Sequence, residues 1–163
     1  GRDTIVVDEN VYNSENGAGK LNRSIAYLLQ SNGVLEADVE KALSFYFKMC
    51  SLSINTFDLA NFGAILANGG KDVRSGIQLI NKPVLQIVKS LMVTCGLYDG
   101  SGEFAIRVGM PAKSGVGGGI LALAQNNMGI CVFGPALDVH GNSTGGYQIL
   151  EYLSKELDLH YFS

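Results

Sequence analysis

Lys113, Ser114 and Gly115, followed by Val116 and the glycines at 117 to 119, form the segment of this chain best equipped for chemistry. A glycine inside a strand has no side chain to keep a ligand off the backbone. A substrate can therefore approach at Gly115, and the Val116 N–H can be aimed at a developing oxyanion. A Lys-Ser-Gly triplet alone recurs by chance, so its company matters: Tyr98-Asp99, Ser101-Gly102 and Phe104-Ala105 precede it, then Gly109 and Pro111-Ala112. An oxyanion donor needs a nucleophile to serve, and in serine acyl-transferases a Ser-x-x-Lys pair supplies one. The residues three places before the lysines are Gly17, Asp38, Phe45, Asn68, Leu79, Gln86, Met110 and Tyr152, and none is serine. His140 and His160 lie far apart with no matching Asp, which offers no Ser-His-Asp triad.

Composition narrows the classes. The chain has 163 residues, 47% of them hydrophobic, enough for one globular domain with a real core. Its net charge is -3, and the twelve Lys and Arg are scattered, so no basic footprint for nucleic acid or an anionic membrane is present. Cys50, Cys95 and Cys131 each sit among apolar residues without a C-x-x-C or a neighbouring His. They read as buried, reduced thiols of a cytosolic protein. Residues 114 to 137 carry no charge, but the glycines at 115 and 117 to 119 and Gln125-Asn126-Asn127 break them as a membrane span. The beginning, Gly1-Arg2-Asp3, has neither a Met nor a signal-peptide pattern, as expected of a cut or truncated chain.

The elements that must hold these residues follow from periodicity. Leu21, Ile25, Leu28 and Leu29 form a helical stripe within 14 to 31, closed by Asn32-Gly33 and weakened at its start by Gly17 and Gly19. A second helix is expected at 36 to 50, with Val39, Leu43, Tyr46 and Cys50 on one face. A third opens at Asn55 or Thr56 and stops at Asn68-Gly69-Gly70. Asn81-Lys82-Pro83 starts a fourth, with Val84, Ile87, Val88, Leu91 and Cys95 as its buried stripe. The runs at 113 to 124 and 128 to 134, joined by Asn126-Asn127, read as a β-hairpin buried on both faces. A last helix, capped by Ser143 or Thr144, carries Tyr147, Leu150, Leu153 and Leu157. The expected class is α+β: a mainly helical part at 1–96, then the hairpin and terminal helix at 97–163, with a sheet too small to stand alone.

The segment from Tyr98 to Ile120, with Leu66-Ala67-Asn68-Gly69-Gly70 and Asp138-x-x-Gly141-Asn142-Ser143, resembles the signature of the serine-dependent glutaminases. The likeness reaches Ser14-Glu15 and Asn22-Arg23-x-Ile25-Ala26-Tyr27 and so covers practically the whole chain. It implies the C-terminal half of a catalytic domain of the β-lactamase-like, penicillin-recognising hydrolase superfamily. It also implies hydrolysis of L-glutamine to L-glutamate and ammonia through a glutamyl-serine ester, without metal or organic cofactor. By resemblance, Glu15 and Asn22 hold the amino and carboxylate ends of glutamine and Tyr46 adds a hydroxyl to the carboxylate. Tyr98 is a proton-transfer partner of the nucleophile, the Val116 N–H serves the oxyanion hole, and Lys113, Ser114 and Gly115 shape the strand. The seven-residue spacing of Glu15 and Asn22 would put both on one helical face.

On the same resemblance the nucleophilic Ser and its Lys precede this chain, and the isolated fragment is expected to be inactive. The implied assembly is a homo-oligomer, a dimer or tetramer, in the cytoplasm, with no nucleic-acid or membrane partner. Two alternatives stand beside it. A β-lactamase or penicillin-binding protein would share the Lys-Ser-Gly strand but has no counterpart of Glu15 with Asn22. A non-catalytic amino-acid-binding or assembly module would keep the substrate contacts without turnover.

Overall fold

The computed structural model describes residues 4–125, 127–161 and 163. It divides into two compact units, one running to Ile54 and the other beginning at Asn55, a boundary well before the 96/97 division drawn from element type.

The first unit holds β1 (Val6–Val7), α1 (Glu9–Ala18), α2 (Lys20–Ser31), α3 (Val39–Cys50) and β2 (Leu52–Ser53), with β1 and β2 antiparallel. Asp8 caps α1 by accepting from the N–H groups of Asn10 and Val11, and Asp38 caps α3 from Lys41 N–H. The single helix expected at 14 to 31 is in fact two helices broken at Gly19. The cause is a close approach: a Cβ at Gly19 would collide with Phe47 Cζ and stand 3.0 Å from the Glu15 carbonyl oxygen. Phe47 is fully buried and packs with Ala26, Val39 and Leu43, half-buried Tyr12 and Leu35 completing the cluster. Leu21, Ile25, Leu28 and Leu29 face solvent, so α2 turns in Ala26 and not the apolar stripe.

The second unit contains α4 (Thr56–Ala67), α5 (Lys82–Cys95), the 3-10 turn Tyr98–Gly100, α6 (Ser101–Arg107), β3 (Ala112–Ser114), β4 (Gly119–Ala124), β5 (Met128–Phe133) and α7 (Thr144–Glu156). Asn55 and Asp58 form a reciprocal capping box on α4, Asn81 caps α5 ahead of Pro83, and Ser143 caps α7. The sheet is antiparallel in the order β3-β4-β5. The expected run at 113 to 124 is interrupted: Gly115 N–H bonds to Gly119 O and Gly118 N–H to Gly115 O, so 115 to 118 form a turn between β3 and β4. Of the Asn126-Asn127 turn, Asn126 lies outside the described residues, and Asn127 has φ 61°.

Strand β4 is sandwiched. Ile120, Ala122 and Ala124 join Phe104, Val108, Val132 and Leu150 in one core, whereas Leu121 and Leu123 join Leu66, Leu85 and Met92 in another. Successive side chains of a strand point to opposite faces, and here both faces are covered by apolar residues. β5 is less buried than the hairpin reading expected. Helix α5 turns in Leu85, Val88 and Met92, leaving Val84, Ile87, Leu91 and Cys95 of its expected buried stripe exposed. Cys50 is also exposed and Cys131 half-buried, so the thiols are free but not uniformly buried as expected.

Helix α4 meets β5 at Gly129, where a Cβ would run into the Ala60 carbonyl oxygen and the Ala64 nitrogen. Backbone atoms cannot swing aside as a side chain can. Gly129→Ala should therefore destabilise the protein by about 1–3 kcal/mol through overpacking, read as a lower midpoint in chemical denaturation with an unchanged slope.

Candidate active site

Tyr98, Lys113, Ser114, Gly115 and Val116 belong to the second unit, and the structure brings them to one place. Along β3, paired with β4 as Ala112↔Ala122, Lys113↔Leu121 and Ser114↔Ile120, the side chains alternate. Ala112 and Ser114 are buried and Lys113 is exposed. The Lys113 ammonium donates to the Ser114 carbonyl and stands 4.9 Å from the centroid of the Tyr98 ring, a cation–π contact. A Cβ placed on Gly141 would lie 3.4 Å from Val116 Cγ1 and 3.8 Å from Tyr98 Cε2, so the 138–142 loop touches both residues. Val116 is 66% exposed. Among the described residues nothing accepts a hydrogen bond from its N–H, which leaves that donor free for a ligand.

Tyr98 has φ 53°, in the left-handed region that a tyrosine rarely enters. Such a conformation costs about 1–3 kcal/mol and persists only where neighbours impose it. Two side chains do so. Ser101 Oγ donates to the Tyr98 carbonyl at 2.7 Å and accepts from the Leu97 N–H at 2.9 Å. Asn142, 1% exposed, donates through Nδ2 to the Leu97 carbonyl at 3.2 Å and accepts from Ser114 Oγ at 2.6 Å. The Ser114 N–H in turn bonds to the Gly96 carbonyl at 3.0 Å. The Lys-Ser-Gly strand, the Tyr98 turn and the 138–142 loop are thus tied to one another by buried polar groups.

The loop itself closes on Asp138, whose Oδ1 accepts from the N–H groups of His140 and Asn142, both at 2.9 Å. Burial pushes its carboxyl up, but the hydrogen bonds from Asn142 and His140 outweigh burial and hold it below the usual carboxylate range. His140 is exposed and contributes its backbone. His160, also given no role, is packed: its ring lies against Gly109, and Nε2 is 3.2 Å from the Ile106 carbonyl.

Glu15, Asn22 and Tyr46 belong to the first unit. Glu15 lies on α1 and Asn22 on α2, so the expectation of one shared helical face fails at Gly19. What fixes the two helices is Arg23. It donates to the Asn16 carbonyl at 2.9 Å and to Asn16 Oδ1 at 2.8 Å, and it pairs with both Glu40 carboxylate oxygens at 3.1 and 3.2 Å. Its guanidinium also lies 5.9 Å from the centroid of the Phe47 ring. Glu15 is exposed and Asn22 half-buried. Tyr46 is not the core residue its stripe implied: it is 51% exposed, edge-on to Phe47 at 5.7 Å between ring centroids. Ser101, Asn142 and Asp138 went unassigned in the sequence. Their only signal was a polar residue within a glycine-containing motif, directly beside the glycine for Ser101 and Asn142 and three residues before it for Asp138, which says nothing about partners.

An α+β arrangement with a Lys-Ser-Gly strand on a small antiparallel sheet is that of the β-lactamase-like hydrolases, and the solved neighbours of this chain are glutaminases of that fold. The covalent complex of the Bacillus subtilis glutaminase YbgJ with 5-oxo-L-norleucine matches with a TM-score of 0.92 and 41% identity, covering 97% of this chain and 57% of that one. A Bacillus glutaminase crystallised at high NaCl matches with a TM-score of 0.91, also at 41% identity, covering 97% and 55%. The glutaminase family model matches residues 1–162, and the chain belongs to that family. Glutaminase 2 of Clostridium perfringens is 51% identical over 99% of this chain and 53% of its own length. The glutaminase of Clostridioides difficile is 52% identical over 98% and 52%. The chain spans about half the length of the curated relatives it matches.

The lowered Asp138 carboxyl has a consequence for stability. A depressed folded value stabilises at pH above the unfolded value of about 3.9 and is lost as pH falls through the folded one. Asp138→Asn should therefore be less stable than the parent at neutral pH, and the gap should close as denaturation is repeated at pH values below the unfolded one.

Proposed function

We propose that this chain is the C-terminal, substrate-holding half of a glutaminase that hydrolyses L-glutamine to L-glutamate and ammonia. The observation that carries the proposal is the free N–H of Val116, a residue that shares Gly141 as a neighbour with Tyr98, whose ring Lys113 faces, in a chain whose family match is continuous from 1 to 162. In this reading a serine outside the chain attacks the side-chain amide, its partner lysine takes the proton, and the Val116 N–H stabilises the oxyanion. Tyr98 relays a proton to the departing ammonia, and water then cleaves the glutamyl ester. Glu15 and Asn22 grip the amino and carboxylate ends of the substrate and Tyr46 supports the carboxylate, while Lys113 and Ser114 set the field and hydrogen bonding of the strand.

Two facts support a covalent route with the nucleophile elsewhere. No lysine of the chain has serine three residues before it. The YbgJ relative forms a covalent complex with 5-oxo-L-norleucine by reaction with 6-diazo-5-oxo-L-norleucine, whose C5 carbonyl stands where glutamine carries its amide. The half-length coverage of the relatives supports a partner segment that completes the domain. The outward stripes Leu21, Ile25 and Leu28 on α2 and Val84, Ile87 and Leu91 on α5 favour burial against further protein, as in a dimer or tetramer. The described helices include none long and apolar enough to cross a membrane. By likeness to its family, we place the enzyme in the cytoplasm.

An ammonia-release assay tests the division of labour: the intact enzyme should turn glutamine over and the purified 163-residue chain should not. Turnover by the isolated chain near that of the intact enzyme would refute the assignment of the nucleophile. In the intact enzyme Glu15→Gln should raise KM for glutamine by about tenfold or more, with a smaller change in kcat, since it weakens a grip made equally in ground and transition states.

A further inference from the structure

The buried polar tie at Asn142 goes beyond any role assigned above. We propose that Asn142 is a positioning residue for the reaction, which sets the placement of the Tyr98 hydroxyl relative to the Val116 N–H. The inference rests on the glutaminase reading of this site. Asn142 touches neither Tyr98 nor Val116 through a hydrogen bond of its own side chain. It acts through what it holds: the Leu97 carbonyl, one residue before Tyr98, and the Ser114 hydroxyl, two residues before Val116.

The chemistry of the amide suits this task. Asn142 must accept with one atom and donate with the other, since Ser114 Oγ faces Oδ1 and a carbonyl oxygen faces Nδ2. Its backbone is pinned independently, by N–H donation to Asp138 and by its carbonyl accepting from the Asp138 N–H at 2.8 Å. A Cβ at Gly100 would lie 3.3 Å from Nδ2, so the turn that carries Tyr98 sits directly against the amide. The left-handed backbone of Tyr98 needs support on both sides, and Ser101 gives the other. With Asn142 removed, Leu97 and Tyr98 would be held by Ser101, by the Gly100 N–H on the Leu97 carbonyl at 3.0 Å and by packing.

The substitution Asn142→Asp tests this, because the protonation state of the new carboxyl decides whether it can imitate the amide. Ionised, it turns an acceptor on the Leu97 carbonyl where a donor is needed; protonated, it recovers one donor and one acceptor. Burial beside that carbonyl raises its pKa, which brings the change into a range where the enzyme can be assayed. In the intact enzyme, kcat of Asn142→Asp relative to wild type should fall about tenfold or more near pH 8 with KM nearly unchanged. The ratio should recover as pH is lowered toward about 5.5, whereas Asn142→Leu, which can do neither, should show no recovery. Ser101→Ala, which loosens Tyr98 without touching Asn142, should likewise lower kcat and spare KM, and it decides the matter if the Asn142 variants do not fold. A kcat ratio near one, a ratio that stays low at every pH, a loss confined to KM, or a wild-type kcat in Ser101→Ala overturns the inference while the glutaminase reading stands. A wild-type enzyme that releases no ammonia from glutamine overturns both.

Discussion

The burial of β4 on both faces is the constraint on which the rest of the second unit depends. Five of its six residues are buried, so apolar residues must cover the sheet on each side, Leu66, Leu85 and Met92 on one and Phe104, Val108 and Leu150 on the other. That requirement pins the register with β3. A slip by one residue would send Ile120, Ala122 and Ala124 to the face shaped for Leu121 and Leu123. With the register pinned, Ala112 and Ser114 must point inward and Lys113 outward. The chemistry of the Lys-Ser-Gly segment is therefore decided by packing beyond the segment itself: the inward serine meets a buried amide, and the outward lysine meets an aromatic ring.

Polar groups take over where the apolar core ends. Ser114, Asn142, Ser101 and Asp138 are short side chains with few rotatable bonds, so ordering them costs little conformational entropy and their geometry is stiff. The longest of these bonds join segments far apart in sequence: Ser114 to Asn142 spans 28 residues and Asn142 to Leu97 spans 45. Such links do not contribute much net stability individually, about 0.5–1.5 kcal/mol for a neutral bond, and they do not need to. Their effect is to hold a tyrosine in a backbone conformation that it would not adopt alone, beside a free N–H. The same device appears in the first unit with a charged group. Arg23 ties the end of α1 to α3 through Asn16 and Glu40, which fixes α1 and α2, the helices that carry Glu15 and Asn22.

Caps and stops were legible from residue types because they depend on neighbours in sequence. Asn55, Asn81 and Ser143 each cap the helix expected of them. The family and the α+β class were legible because the motif from Tyr98 to Ile120 is long and carries several unrelated residue types. The break at Gly19 was not, since its cause is Phe47, far along the chain on another helix. Glycine at 19 was read as a weak start to one helix; its real function is to let an aromatic ring touch the backbone. The polar ties of Asn142 escaped for the same reason, since a sequence shows that an asparagine follows a glycine but not which carbonyl it will face.

The inverted helix faces have a different physical origin. Helix α5 has a polar face of Lys82, Gln86, Lys89, Ser90 and Thr94 and a broad apolar arc opposite it, in which Leu85, Val88 and Met92 form one stripe and Val84, Ile87, Leu91 and Cys95 the adjoining one. Periodicity reports that a stripe exists, and where two exist nothing in it chooses between them. The choice is made by what each can pack against. Leu85 and Met92 join Leu66, Leu121 and Leu123, the last two on one of the two buried faces of β4, in a single cluster, and that cluster is available to only one side of the helix. Burial of a few Leu-sized groups is worth about 1.5–3 kcal/mol each, and helix propensity does not enter the choice because it is the same whichever face packs. The second stripe is thus not a failed core face. A helix that needed only the Leu85–Met92 stripe would place polar residues at 84, 87 and 91, and their absence means that the apolar arc of α5 is wider than the core covers and is suited to further apolar contact next to the buried stripe.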